Sequence, residues 1–351
     1  MNKASALAAT LLLFCASHAG ARGAASAHPV KQASDDEVLM RLHLTPGQEF
    51  HTVYTSDDEA TTIVLGRNVQ VVDTSLVSMD HKVLQVSAGG LATLQSTITA
   101  MTINNSVDGV PTGYSSVSPN SNASALGTLI STLVGVPLTV TYAANGTVRK
   151  ASGFNALWSR IPTRTNGAEN ATLTRAKSLL KGKYVDSKPQ NLGEESILLP
   201  PHALRVGDSW ITTLPASGAG MEASIKAIYT FQGREQGVDL VSLKVANTKH
   251  KATILVPTGT ITSTLSFSGE GKREIDQSTG WTARGDTSIS CSGTMTIPFI
   301  NGDGMTFPVP MTMTMREHIV TTNLPGLDEV VSISAGEPMR VVDSNGEVVA
   351  N

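Results

Sequence analysis

The chain of 351 residues is short of sulfhydryls, of rings and of charge. It has 2 cysteines, Cys15 and Cys291, so it has no disulfide framework of the kind that staples small secreted domains. Aromatic residues make up 4%, with 3 Trp and 5 Tyr, which is too few for the ring girdles of an outer-membrane barrel. Charged residues make up 16% and the net charge is −3, so no basic face is available for nucleic acid. No stretch after the N-terminus reaches the 18 or so apolar residues that a membrane-spanning helix needs. Signatures of catalysis are missing as well. No His-Glu-x-x-His, Gly-x-Ser-x-Gly, P-loop or Gly-x-Gly-x-x-Gly occurs, and no cofactor is implied.

What remains is apolar and hydroxyl. Apolar residues make up 40%, enough for a core. Thr and Ser together number 75, so a surface with so few charges must be largely hydroxyl.

The first 19 residues read as a secretory signal. Lys3 supplies the positive start, Ala4 to Ala16 is an uncharged run, and Ser17-His18-Ala19 offers small residues for cleavage before Gly20. Cys15 is a poor lipid-attachment site, because Phe14 stands where a small residue is wanted. Cleavage after Ala19 removes Cys15 and leaves Cys291 with no disulfide partner. Export is therefore expected, to a periplasm or the outside of the cell, with peripheral membrane association left open. Residues 20–35 are small and Ala-rich and read as a flexible leader.

From Val38 the hydrophobic period is two. In Glu222 to Phe231, with Ile228 the exception, and in Thr260 to Ser268 apolar and polar positions alternate. Asp239 to Val245, Glu49 to Thr55, Asn68 to Met79, His81 to Val86 and Leu91 to Ile103 read as further strands, rich in β-branched residues. Gly89-Gly90, Asn145-Gly146, Asn301 to Gly304 and Asn345-Gly346 are turn signals. Two segments have helical spacing. Ser121 to Val134 places Leu126, Leu129, Ile130 and Leu133 on one side and carries no charge, and Ala168 to Lys181 places Leu173, Ala176 and Leu180 together. The expected organisation is a first β-rich half over 36–160 with its helix near 121–134, and a helical connector over 161–195. A second β-rich half over 196–325 and a C-terminal hairpin or tail over 326–351 follow.

The halves begin alike. Leu44-Thr45-Pro46-Gly47-Gln48-Glu49-Phe50 aligns with Leu204-Arg205-Val206-Gly207-Asp208-Ser209-Trp210, a Gly turn leading into a strand anchored by an aromatic residue. Tyr142 to Thr147 pairs in the same way with Ile275 to Thr282. The fold expected is mainly β and antiparallel. Two related β-meander halves form a curved sheet or half-barrel with two short α-helices.

These residues carry a family resemblance. Pro46-Gly47-Gln48-Glu49-Phe50, the Val206-Gly207-Asp208-Ser209-Trp210 element and the Val140-Thr141-Tyr142 strand before Gly146-Thr147 resemble the elements of an uncharacterised family of exported bacterial proteins and lipoproteins, defined only as a domain of unknown function. The resemblance spans residues 38 to 325 and implies no activity.

Candidate sites follow from side-chain chemistry. Met311, Met313 and Met315 share one face of a strand, and thioethers suit Cu(I) in an exported protein, although Met also fills irregular cores. Asp57-Asp58-Glu59 reads as a solvated hairpin tip. Asp208 reads as a turn acceptor beside the anchor Trp210. Asp343 to Glu347 reads as a hairpin turn. Leu126, Ile130 and Leu133 would touch a ligand if the uncharged helix lies as a lid over a concave sheet. The function expected is a non-catalytic envelope protein that binds an apolar or amphipathic ligand such as a lipid. The alternatives are a structural or adhesive surface module and a Cu(I) binder.

Overall fold

The computed structural model describes residues 37–64, 66–116, 131–162, 164–165, 168–169, 199–218, 221–256, 259–298, 306–325, 341–342 and 348–350, with isolated positions at 127, 174, 177 and 178. In chain order the elements begin with β1 (Glu49–Val64), β2 (Arg67–Val86), β3 (Ala92–Val107), β4 (Val110–Ser115), β5 (Pro137–Tyr142) and β6 (Val148–Ser152). A helix α1 (Phe154–Arg160) and the short strands β7 (Arg164–Thr165) and β8 (Ala168–Glu169) follow. The second run is β9 (Ser209–Gly218), β10 (Met221–Glu235), β11 (Val238–Val256), β12 (Gly259–Asp276), β13 (Thr282–Pro298) and β14 (Thr306–Thr322). β15 (Val341–Val342) and β16 (Val348–Ala350) form a separate two-stranded ladder.

Twelve strands make one antiparallel sheet in the order β6-β5-β3-β2-β1-β14-β13-β12-β11-β10-β9, with β4 beside β3. Each run is a simple meander. The two runs meet in the middle, where β1 pairs with β14 over His51–Thr322 to Thr62–Met311. The outermost strands β6 and β9 do not pair, so the sheet is not closed.

One face of this sheet is buried almost everywhere. Phe50, Thr52, Tyr54, Asp58, Ala60 and Thr62 point inward from β1, and the ladder registers carry that face to the odd-numbered positions of β2, β13 and β14. Among the described residues no second sheet covers it, and the sheet curls and covers itself. One core cluster joins Leu94, Val140, Tyr142 and Val148 near one edge to Trp210, Tyr229, Phe231 and Val241 near the other. A second joins Val71 of β2 to Ile225, Val245, Phe267 and Met313.

Glycine sets where the curl is tightest. Gly269 and Gly271 on β12 face Ile289 and Thr287 on β13, where an added Cβ would lie 2.4 Å from the Ser288 carbonyl and 2.5 Å from the Asp286 carbonyl respectively. No other residue allows strands to coil this closely on the inner side.

The segment before β1 closes the end of the curl where β1 begins. Val38 bridges Leu204, Leu42 N–H donates to the Ala144 carbonyl at 2.7 Å, and His43 N–H donates to the Thr279 carbonyl at 2.8 Å. It thereby ties the β5–β6 turn, the β12–β13 turn and the approach to β9. The openings of β1 and β9 share one turn. Gly47 N–H donates to Val83 O and Val83 N–H to Gln48 O; Gly207 N–H donates to Phe231 O and Phe231 N–H to Asp208 O. Both glycines have positive φ, 84° and 92°. Asp208 Oδ2 accepts from Arg205 N–H at 2.8 Å, as Gln48 Oε1 does from Thr45 N–H at 3.1 Å.

The strands are longer than the periodicity indicated. Asn68 to Met79 and His81 to Val86 are one continuous strand, β2, of 20 residues. The hairpins that hold such lengths in register turn on Asp108-Gly109 and Gln236-Gly237, each with two positive φ values, as a two-residue turn of this hand requires.

The helices differ from expectation. The expected helix at 121–134 falls mostly outside the described residues; its described positions 127 and 131 are helical, and Thr132 to Gly135 is a turn. The expected helix at 168–181 begins instead as β8, paired with β7, while its described positions 174, 177 and 178 are helical. Among the described residues the delimited helix is α1, which begins after Gly153 (φ 108°) and ends in Arg160, favourably placed for the helix dipole. It buries Phe154, Leu157 and Trp158, spaced to share one face, against Ala151 and Val136. α1 therefore covers the inner face at the β5–β6 edge.

Gly271→Ala should lower stability by at least about 2 kcal/mol, the usual range for overpacking a tight contact. Gly89→Ala, at an open turn where the nearest atom is 3.9 Å away, should change it little. Urea unfolding of both variants checks the difference.

Candidate functional site

Midway along the inner face the apolar lining is interrupted by charge. Register places Asp58 of β1 directly opposite Asp73 of β2, and Ser56 opposite Glu317 of β14. Glu317 accepts a hydrogen bond from Arg273 of β12 at 3.0 Å. These groups lie between a cluster around Tyr54, Met79 and Ile319 and the sulfur-rich cluster of β13 and β14.

The Arg273–Glu317 pair depends on a missing side chain. The strand between them, β13, presents Gly285 opposite Arg273. A Cβ there would lie 2.4 Å from Arg273 Nη1 and 2.6 Å from its Cδ. The guanidinium thus passes over Gly285 to reach Glu317. Tyr229 of β10 lies close enough to feel both charges and stacks on Trp210 with ring centroids 5.4 Å apart. Burial pushes its phenol upward.

The two aspartates have no such partner cation. Burial, then the neighbouring Asp73, Asp57 and Glu317 carboxylates, push Asp58 up to about 8, against a smaller downward pull from the Arg316 backbone. Burial raises Asp73 to about 6, and a hydrogen bond from Asn105 opposes it. No side chain hydrogen-bonds either Asp58 oxygen, and Asp73 Oδ1, Thr62 Oγ1 and Thr287 Oγ1 also lack partners. The belt thus contains three carboxylates against one guanidinium, and at neutral pH Asp58 keeps its proton.

This corrects the reading of Asp57-Asp58-Glu59 as a hairpin tip. The run lies mid-strand in β1, where alternation sends Asp57 and Glu59 outward to solvent and Asp58 inward.

A second buried ionisable group lies where β1 begins. His81 stacks on Phe50 with centroids 4.9 Å apart and meets Trp281 at 5.5 Å. Its Nδ1 is 2.9 Å from Ser96 Oγ, while its Nε2 has no partner. Burial lowers its pKa to about 4, His51 pushes the same way, and Asp80 opposes them, so the ring is neutral.

The structure places the sequence candidates as follows. Met311, Met313 and Met315 share the inner face of β14 and are buried. The register brings Cys291 opposite Met313 and Met295 opposite Val309, a convergence of sulfur that spacing along one strand does not reveal. Gly47 and Gly207 make the paired turns, Phe50 and Trp210 are core anchors, and Asp208 accepts within its turn. Leu133 is half-buried against the α1 cluster. Leu126 and Ile130 lie outside the described residues. The Asp343–Glu347 turn also lies outside them, but β15 and β16 pair on either side of it.

The sequence profile of a family of unknown function, DUF6263, matches residues 89–282. The chain belongs to this family. The DUF6263 match takes in β3 to β12, including Arg273, while β1, β2 and β14, which carry Asp58, Asp73 and Glu317, lie outside it. No curated protein matches the chain. Among solved structures it is similar to lipovitellin, described for its lipid–protein interactions, at 10% identity and a TM-score of 0.41. That likeness covers 83% of this chain and 27% of lipovitellin, so the chain spans about a quarter of that protein's length. DynF of the dynemicin pathway of Micromonospora chersina is similar at 8% identity and a TM-score of 0.17, covering 85% of this chain and 92% of that one. OpdQ of Pseudomonas aeruginosa is similar at 5% identity and 0.23, covering 78% and 99%.

Two outcomes test the belt. Arg273→Met alone should cost about 3–5 kcal/mol, because it strands Glu317 in the interior, and Arg273→Met with Glu317→Leu should recover most of that. Denaturant midpoints of the single and double variants measure it. Between pH 3.8 and about 8, Asp58 is ionised in the unfolded chain and protonated in the folded one. Its contribution to stability is therefore lost as pH rises through that window. Asp58→Asn should raise the thermal midpoint at pH 8 by at least about 3 °C and leave it little changed at pH 4. Melting curves across that range read the difference.

Proposed function

We propose that this DUF6263 protein is an exported, non-catalytic envelope protein whose curled sheet takes up an amphipathic ligand along its inner face. The observation that carries the reading is the belt of buried carboxylates with unpartnered oxygens, set between two apolar clusters on one concave face. Buried polar atoms without partners are costly. A ligand with an apolar body and one hydrogen-bond-donating group complements both parts of that lining. Entry runs through the unpaired seam between β6 and β9, where the sheet can part without breaking a ladder. The inner face beside α1 and Leu133 is the expected contact for the apolar body. Leu126 and Ile130 belong to the same proposal. The matching turns at Gly47 and Gly207 support reading 36–160 and 196–325 as related halves joined by the connector 161–195.

A second reading has its own observation. The outer face of β12, β13 and β14 carries rows of hydroxyls, Ser266–Ser292–Thr312 and Ser268–Ser290–Thr314, without a charge among them. Such a face suits adhesion to a hydrogen-bonding surface.

The protein purified without detergent or organic solvent should carry an extra mass of amphiphile size in a native mass spectrum, released by solvent extraction. The stripped protein should bind a fluorescent octadecyl-chain probe one to one, and probe at a hundred times its Kd should add about 2.7 kcal/mol of stability. A bare chain that ignores the probe would move the weight to the adhesive outer face.

A further inference from the structure

We propose that the inner face of β13 and β14 forms a Cu(I) site from the Cys291 thiolate and the thioethers of Met311, Met313 and Met315. Cys291 and Met313 are directly paired across the two strands and belong to one buried cluster. Such a pairing sets their Cβ atoms about 5 Å apart, within reach of one shared ion. Met311 and Met315 flank Met313 at spacing two on the same face. Met295 lies four residues beyond Cys291 on β13 and joins the same cluster. Five of its 13 buried residues therefore carry sulfur: Cys291, Met295, Met311, Met313 and Met315. Gly293, between Cys291 and Met295 and opposite Met311, adds no side chain to the space these sulfurs share.

The donor set selects the ion. A thiolate with thioethers is soft and suits Cu(I), whereas zinc and harder cations want imidazole or carboxylate ligands. Among the described residues no three His, Cys, Asp or Glu side chains converge on such a site. Phe267 of β12 is paired with Cys291 on the side away from Met313 and belongs to the same buried cluster. Binding breaks the Cys291 S–H bond, forms a copper–sulfur bond and releases the proton to solvent. Copper enters and stays as Cu(I), so no electron is exchanged.

Met is also a soft filler of irregular cores, and the experiment separates the two roles. The full chain carrying Cys15→Ser, with Cys291 as its only thiol, is titrated anaerobically with Cu(I) against the chromophoric chelator bicinchoninate. One equivalent should leave the chelator for the protein, and X-ray absorption should show sulfur scatterers alone around the metal. Met313→Leu, which conserves volume, and Cys291→Ser should each weaken binding at least tenfold. Met79→Leu, at a buried Met outside the cluster, should leave it unchanged. Thermal melting of each variant confirms that the fold is kept. A wild-type core that never takes copper from the chelator overturns the site. So does an affinity unchanged in the Met313→Leu and Cys291→Ser variants.

Discussion

A sheet with one apolar face has to cover it, and the described residues offer no second sheet for the purpose. The sheet covers itself. That requirement explains why Gly269 and Gly271 face β13 at contacts no side chain could share. It also explains why residues from both edges meet in one core, Val148 from β6 and Trp210 from β9. The segment from Val38 to Leu44 ties three separate turns because the curl has an end to be stopped. Where the inward-facing row is not apolar, the curl brings charges together that lie on separate strands in the sequence. Arg273 and Glu317 meet only because Gly285 between them is bare.

The class of fold was legible in the period of two, and the turns at Gly47 and Gly207 in the repeated Leu-x-x-Gly spacing. Strand length was not, because the inner face changes character along each strand. In β1 it runs from Phe50 and Tyr54 through Asp58 to Ala60 and Thr62, so a reading that sought apolar alternation stopped at Thr55. The same mixing hid the site. An Asp-Asp-Glu run has the composition of a loop, and only the strand's alternation sends its middle member inside. The opposition of Asp58 to Asp73, and of Cys291 to Met313, follows from register, which a single sequence does not display. The helix α1 was missed because a single seven-residue helix with three core-facing residues, Phe154, Leu157 and Trp158, is too short to establish a period.

The interior is a graded lining. At the end where β1 begins it is aromatic, with Phe50, Trp281 and a neutral His81. In the middle it is ionisable, where burial raises Asp58 and Asp73 and keeps Asp58 protonated at neutral pH. Toward the β1–β2 hairpin it is sulfur and aliphatic carbon. Each layer is set by which residues fall on inward positions along β1 and β14.

The pairing of β1 with β14 has a consequence for how the chain reaches this state. Each meander can zip from its own hairpins, through neighbours close in sequence. The central seam joins Thr52 to Thr321, a sequence separation of 269 residues. Closing so long a loop forfeits chain entropy before any contact returns it, which makes non-local β pairing slow. The seam therefore forms last, after β14 has emerged, and until then β1 and β14 are open edges. For that interval each meander exposes the strand edge that its partner will later cover, the condition in which β-rich chains most readily pair with the wrong neighbour.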